Sequence, residues 1–421
     1  MNFYTFIVVS LLITTYLVEM ASNLLNIKNI SSNVPFEFQG YFDKEKYTKS
    51  QEYLKTNTKF YIVLSSFFLT LQIIFIVSHG FNYLNTVSLS FGFGTILTGL
   101  VFIGILFFAV EILKLPFSIF HIFIIEEKFG FNKLSIKNFV LDILKSWIIS
   151  TIIGIVVCTT ILWILINVYQ SAWLFVFLFI ILLNLFITLI APIVIMPLFN
   201  KYTPLEEGEL KKSIEKYAKK ERFKMKGIFK MDGSKRSTKS NAFLTGFGMF
   251  RRIVLFDTLI QKHTVDELTS VLAHEMGHFR LGHIVKHIIF SLISTGIMLF
   301  IFSLLIDKVW LYSAFCMHVQ PVYAGIAFLI ILYSPVSLVT KVVSNYFSRR
   351  YEYQADAYSI KTHKNPEAMI IALKKLSVDN LSNLHPHRLK VILEYSHPPI
   401  LKRIKAIKSL VILESVFLSK P

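Results

Sequence analysis

The sequence predicts a mainly α, polytopic membrane protein with a small α+β unit inserted late in the chain. Three observations predict it. Of 421 residues, 54% are hydrophobic and only 17% charged, where a soluble chain carries about a quarter charged. Seven apolar runs have the length of a membrane span. The basic residues fall in alternate loops, as a multi-pass topology requires.

The spans are expected near 3–19, 60–80, 96–120, 146–168, 172–198, 287–306 and 322–343. The first run lacks the basic leader and small-residue cleavage site of a signal peptide, so it reads as a retained helix. The loop after it holds Lys28, Lys44, Lys46, Lys49, Lys55 and Lys59, and the next, from Phe81 to Thr95, holds no lysine or arginine. The third holds Lys128, Lys133, Lys137 and Lys145; the fourth is a short turn, and the sixth shows only Lys308. The 199–286 insert and the tail are densely basic. Loops one, three, five and the tail are therefore expected in the cytosol, with the amino terminus on the opposite side. The sequons at Asn29 and Asn380 then lie where glycosylation does not occur, as chance matches. Residues 1–198 form one expected region with five spans. Residues 199–421 form a second, with two further spans and a cytosolic tail.

The net charge of +18 raises nucleic acid as a partner, but no zinc-knuckle, aromatic-basic or helix-turn-helix pattern accompanies it. Basic segments beside a bilayer have an electrostatic role of their own, so membrane lipids are expected as partners and nucleic acid is not. Cys158 and Cys316 are isolated and make neither a disulfide framework nor a thiolate metal site. The chain ends in Ser419-Lys420-Pro421, without a prenylation box of its own.

Within the insert, Leu205 to Arg222 has helical spacing. Gly227–Met231 and Arg252–Phe256 alternate like strands, with Asp232-Gly233-Ser234 as a turn. Thr264 to Gly282 reads as a helix, capped by Thr264 with Glu267 at capping-box spacing.

That last helix carries His274-Glu275-Met276-Gly277-His278. Residues four apart share a helix face, so both imidazoles can meet one ion while Glu275 reaches a metal-bound water. The pentapeptide alone is also compatible with a solvated helix face. A third ligand raises its meaning: Glu352 and Asp356, four apart after the seventh span, can complete a His, His, Glu zinc site and accept the free N–H of a ligating imidazole. Alone, they read as surface acids beside Arg349 and Arg350. Topology places both motifs at the same mouth of the sixth and seventh spans, and together they point to one catalytic Zn2+ per chain, held by His274, His278 and Glu352 with Glu275 as general base.

Longer stretches then resemble one family. Pro35-Phe36-Glu37-Phe38, Tyr47 to Tyr53, Glu126 to Lys133, Pro197 to Tyr202, Asp232 to Ser237, Gly246-Phe247-Gly248, Arg252 to Thr258, the two metal motifs and Tyr395-Ser396-His397-Pro398-Pro399 occur in family order. They make the chain similar to the type I CAAX prenyl proteases, the Ste24-like integral membrane metallopeptidases. The resemblance implies seven helices in a barrel around a water-filled chamber, capped by a gluzincin-like metalloprotease unit. It implies an endopeptidase acting near the carboxyl terminus of prenylated CAAX proteins or on other membrane-associated peptides and proteins. It assigns Asn241, Ala242 and Phe243 to an edge strand that pairs with substrate backbone, and His397 and Arg403 to hydrogen bonds with the oxyanion. Where members often carry serine and histidine, this chain has Thr238-Lys239.

Other polar residues have weaker assignments. Glu111 and Lys114 in the third run either face a chamber or pair with each other. His283 and His287 are expected at the interface or chamber wall rather than on the metal, and His385 and His387 in structural roles. Two other functions fit part of the pattern: a stress-related quality-control membrane protease with the same chemistry, and a transporter or receptor for a lipidated ligand with a structural zinc. A monomer is expected, in a bacterial inner membrane or the endoplasmic reticulum.

Overall fold

The computed structural model describes residues 2–168, 171–246 and 251–418, with side chains to residue 413. Phe247 and Gly248 of the glycine-containing match, and the terminal Ser419 to Pro421, lie outside the described residues.

In chain order, the first half runs α1 (Phe3–Lys28), α2 (Lys44–Val77), α3 (Gly80–Ser90), α4 (Thr95–Phe120), α5 (Ile136–Asn167), α6 (Ala172–Ile190) and α7 (Met196–Phe199). The second runs β1 (Tyr202–Pro204), α8 (Glu209–Lys220), β2 (Gly227–Met231), β3 (Ala242–Thr245), β4 (Arg252–Phe256), α9 (Asp257–Lys262), α10 (Val265–Arg280), α11 (His283–Leu305), α12 (Val309–Ala314), α13 (Val322–His363), α14 (Pro366–Asp379), α15 (Arg388–Glu394) and α16 (Ile400–Leu418). Short polar residues start three of the long helices. Asn2, Asp43 and Ser135 each accept a hydrogen bond from a backbone N–H of the first turn, satisfying donors with no partner inside the helix.

Seven helical stretches are long and apolar enough to span: α1, α2, α4 with the π turn that follows it, α5, α6 through α7, α11 and α13. They follow a closed order, α1–α2–α4–α5–α6–α11–α13 and back to α1, with α13 also touching α4 and α5. Aromatic contacts mark the seams: Phe60 and Phe67 of α2 on Phe117 of α4, Phe108 of α4 on Trp147 of α5, and Trp173 of α6 on Phe300 of α11. A solid bundle buries an apolar stripe on every helix. Here only 6% of the most apolar window of α2 and of α6 is buried, and 11% of those of α5 and α11. The helices form a wall one helix thick, open to the bilayer outside and a chamber inside.

The two ends of the barrel are packed. At one, α3 and α12 fold under the wall, and Phe81, Phe102, Leu162, Tyr312, Phe315, Tyr323 and Phe328 form a cluster, with Phe315 stacked on Phe328 at 4.0 Å. Gly99 sits at a crossing where a Cβ would lie 2.8 Å from Leu162 and 2.9 Å from the Tyr323 Cβ. At the other end lies a four-stranded sheet in the order β1-β2-β4-β3, with β2 and β4 parallel and β3 antiparallel on the outer edge. The helices α8 and α10 bury Ile214, Tyr217, Leu268, Leu272 and Met276 in one core with Ile253 and Leu255 of β4.

Two ion pairs dock this unit on the membrane helices. Arg236 reaches Asp142 of α5 at 2.9 Å in a bidentate pair. Lys239 donates to Glu126 at 2.7 Å and to the Tyr53 hydroxyl at 2.9 Å, with its ammonium 4.4 Å from the Phe131 ring.

The strands β2 and β4 and the Thr264–Glu267 capping box lie where periodicity and spacing put them. The membrane helices differ in length. On the side of the basic loops α2 starts at Lys44, α5 starts at Ile136 and α13 runs on to His363, because these charged flanks remain strong helix formers in water. Glu111 and Lys114 pair with each other at 3.1 Å while both side chains keep exposed surface, 31% and 50%.

Candidate metal centre

Helix α10 is built to present its two histidines. Its capping box fixes the first turn, and Leu268, Leu272, Ala273 and Met276 bury one face. The opposite face crosses α13. Gly277 makes the crossing possible, since a Cβ there would lie 3.2 Å from the Ala355 Cα and 3.1 Å from the Tyr358 ring. The Ser359 hydroxyl, donating to the Ser270 carbonyl at 2.9 Å, pins the same crossing.

The crossing brings His274, His278 and Glu352 together. Nε2 of His274 and Nε2 of His278 are 3.2 Å apart. His278 Nε2 is 3.2 Å from Glu352 Oε1, and His274 Nε2 is 3.5 Å from Oε2. Tetrahedral ligands about 2.05 Å from zinc lie about 3.3 Å from one another, so the three donors already have the edge lengths of a metal site. Glu352 is 3% exposed and its Oε2 lacks a hydrogen-bond donor of good geometry. Arg403 Nη1 lies 3.1 Å from that oxygen as an ion pair, so the fit rests on the donor chemistry: two imidazole nitrogens and one carboxylate are a ligand set of catalytic zinc. The donor set fits a metal.

Charge around the site agrees. Burial opposes a positive His274, yet the carboxylates of Asp356 and Glu352 outweigh it and raise its pKa to about 9; the pocket favours positive charge. Asp356 Oδ1 lies 2.8 Å from His274 Nδ1, which holds a proton there and makes Nε2 the nitrogen that a metal would take. Glu275, next in the chain, has its carboxyl pushed up by burial, against the pull of the two histidines.

The other expected residues fall in three places. His397 Nε2 is 3.2 Å from Glu352 Oε1, and Ser396 Oγ is 2.9 Å from His397 Nδ1. Its side chain keeps 63% of its accessible surface, and loss of solvent around the ring holds the imidazole below its ordinary pKa. Arg403 is buried. Each of its nitrogens faces a carboxylate. Nε and Nη2 donate to Asp356 at 2.9 and 2.6 Å, and Nη1 lies 3.1 Å from Glu352. Asn241 is exposed, and Ala242 and Phe243 open β3, whose other side has no strand among the described residues.

Two residues beside this triad had no such assignment in the sequence. Nδ1 of His283 is 3.1 Å from Nδ1 of His278, and its Nε2 is 2.9 Å from Gln354 Oε1. The nearest sequence signal was the spacing of His283, five residues after His278 across the left-handed Gly282.

Comparison with known proteins agrees with this geometry. Residues 23–201 match the family described as CAAX prenyl protease N-terminal, five membrane helices, and residues 204–411 match peptidase family M48. CAAX prenyl protease 1 of Saccharomyces cerevisiae is 34% identical over 409 residues, 89% of this chain and 88% of that protein. The human CAAX prenyl protease 1 homolog is 32% identical over 445 residues, 94% of each. The crystal structure of S. mikatae Ste24p superposes with a TM-score of 0.91 at 31% identity, covering 97% of this chain and 99% of that one.

Proposed function

We propose that this chain, which belongs to peptidase family M48 and is a multi-pass membrane metalloendopeptidase, uses zinc to cut near the carboxyl terminus of CAAX-type prenylated or other membrane-associated substrates. The observation that carries the metal assignment is the His274, His278 and Glu352 triangle at tetrahedral spacing. The substrate class rests on the full-length likeness to CAAX prenyl protease 1 proteins.

When bound, zinc would lower the pKa of a water and polarise the scissile carbonyl. The rest belongs to the protein. The free edge of β3, entered through Asn241, Ala242 and Phe243, takes the substrate as an added strand, so backbone hydrogen bonds set its register. Glu275 accepts the proton of the attacking water and returns it to the leaving amine nitrogen; burial, which raises its pKa, suits it to carry that proton. The Ser396 hydroxyl donates to Nδ1 of a neutral His397, which leaves the proton on Nε2 to donate to the developing oxyanion. Arg403 holds the two carboxylates in place rather than the substrate. The chain acts as a monomer with its active-site loops on the cytosolic side and its amino terminus opposite.

The test is cleavage of a fluorogenic farnesylated CAAX peptide, beside its unprenylated counterpart, by detergent-purified protein. Wild type should cleave, lose activity to a chelator and regain it with zinc. Glu275→Gln should keep one zinc per chain and lose activity by about a thousandfold, within the usual range for a general base. His274→Ala should lose both metal and activity. Full activity in Glu275→Gln would overturn its assignment as the base. A wild type that holds zinc but cleaves only unprenylated peptides would overturn the prenylated substrate class.

A further inference from the structure

Zinc ligation through Nε2 of His278 requires that nitrogen to be bare, and something must hold the proton on Nδ1 and the ring in place. For His274 this is Asp356. Among the described residues no carboxylate stands behind His278: its Nδ1 faces Nδ1 of His283 at 3.1 Å, and His283 Nε2 faces Gln354 Oε1 at 2.9 Å.

One assignment satisfies every atom of this chain. His278 donates from Nδ1–H to His283 Nδ1, and His283 donates from Nε2–H to the Gln354 carbonyl oxygen. His283 is then neutral, with both nitrogens used. That accounts for an imidazole 1% exposed at the mouth of a membrane helix, a position otherwise costly for a polar group. The glutamine amide can only accept at Oε1, so it selects the His283 tautomer, which selects that of His278. Glu352, Gln354 and Asp356 lie at alternate positions of one turn of α13: one carboxylate faces the metal, and the other two residues govern the histidines of α10.

We propose that His283 and Gln354 are positioning residues for the metal: a two-step relay that fixes the tautomer and ring orientation of His278, as Asp356 does directly for His274. The inference rests on the zinc site proposed above. A ligand's hydrogen-bond partner characteristically sets metal affinity by about 10- to 100-fold. The rival explanation is packing, because the His283 ring also stacks on Tyr351 at 4.3 Å, 10° from parallel.

Zinc affinity of the full-length protein, measured by competition with a chromophoric chelator, separates these, with the visible spectrum of the cobalt-substituted protein as second readout. His283→Phe keeps a ring on Tyr351 but removes both nitrogens; it should bind zinc about 10- to 100-fold more weakly and shift the cobalt bands. Gln354→Leu should weaken binding about tenfold, and Gln354→Glu, which keeps an acceptor, should restore it. Tyr351→Leu, which removes the stack alone, should stay within about threefold of wild type. Unchanged affinity and spectrum in His283→Phe, or equal weakening in Tyr351→Leu, overturns the relay. Should His283→Phe fail to fold, the Gln354 pair decides: equal affinity in Leu and Glu overturns it. Wild type without zinc overturns the metal reading itself, whereas wild type that binds zinc as tightly as His283→Phe overturns only the relay.

Discussion

Helix α10 buries ten of its 16 residues, while α2, twice as long, buries five of 34. The first is held along its length by the sheet, α8, α13 and α14; the second is held at its ends and leaves its middle as wall. Precision and enclosure are thus made by different parts of the chain. The protease unit spends its packing on fixing a few atoms to fractions of an ångström, and the barrel uses thin, weakly packed helices to surround a space.

Two glycine substitutions break this comparison most sharply. Gly277→Val forces α10 away from Ala355 and Tyr358, and a displacement near 1 Å is enough to cost about a hundredfold in rate. Cleavage should fall by at least that much, with zinc content falling in parallel. Gly104→Ala, in α4 with no atom within 4 Å of the added Cβ, should leave both unchanged. A comparable loss in Gly104→Ala would mean that the wall is packed more tightly than its burial indicates.

Next in size is the carboxylate clamp. Arg403→Lys keeps the charge but not the fork that spans Asp356 and Glu352, so zinc affinity should drop about tenfold by chelator competition. Smaller again is the docking pair. Lys239→Ala leaves Glu126, 9% exposed, without its cation. A double-mutant cycle with Glu126→Gln, read by chemical denaturation, should give about 1–2 kcal/mol of coupling. Smallest is Glu111→Gln on the wall, where the ion pair is partly exposed; thermal stability should move by less than about 0.5 kcal/mol. A reversed order among these variants would undo the division between site and wall.

The same division governs what the sequence made legible. Spans, the strands β2 and β4, the capping box and the His274–His278 face are local patterns, and periodicity exposes them. The pairing of Glu352 and Asp356 with that face was readable because four-residue spacing repeats in both motifs. The His283–Gln354 contact joins residues 71 apart, and each reads by itself as a polar flank of a membrane helix. Arg403 lies in a lysine-rich tail, where nothing local marks it as a cation that turns inward. The strands β1 and β3 are three and four residues long, too short for an alternation to declare itself. The seventh span is bounded near residue 343 in the sequence because charge replaces apolar residues there, although the helix runs on through Glu352 to His363.

That unbroken helix sets a mechanical requirement. Pro335 interrupts the hydrogen bonding of α13 within its membrane-spanning stretch, 17 residues and about 25 Å along the axis from Glu352. At such a lever arm a bend of roughly 5° would swing the carboxylate about 2 Å, some ten times the tolerance of a metal–ligand distance. The accuracy of the catalytic centre therefore cannot be inherited from the membrane segment of its own helix. It must be imposed at the tip, where Gly277, Ser270 and Arg403 grip the last turns, so that the bilayer can flex without detuning the metal.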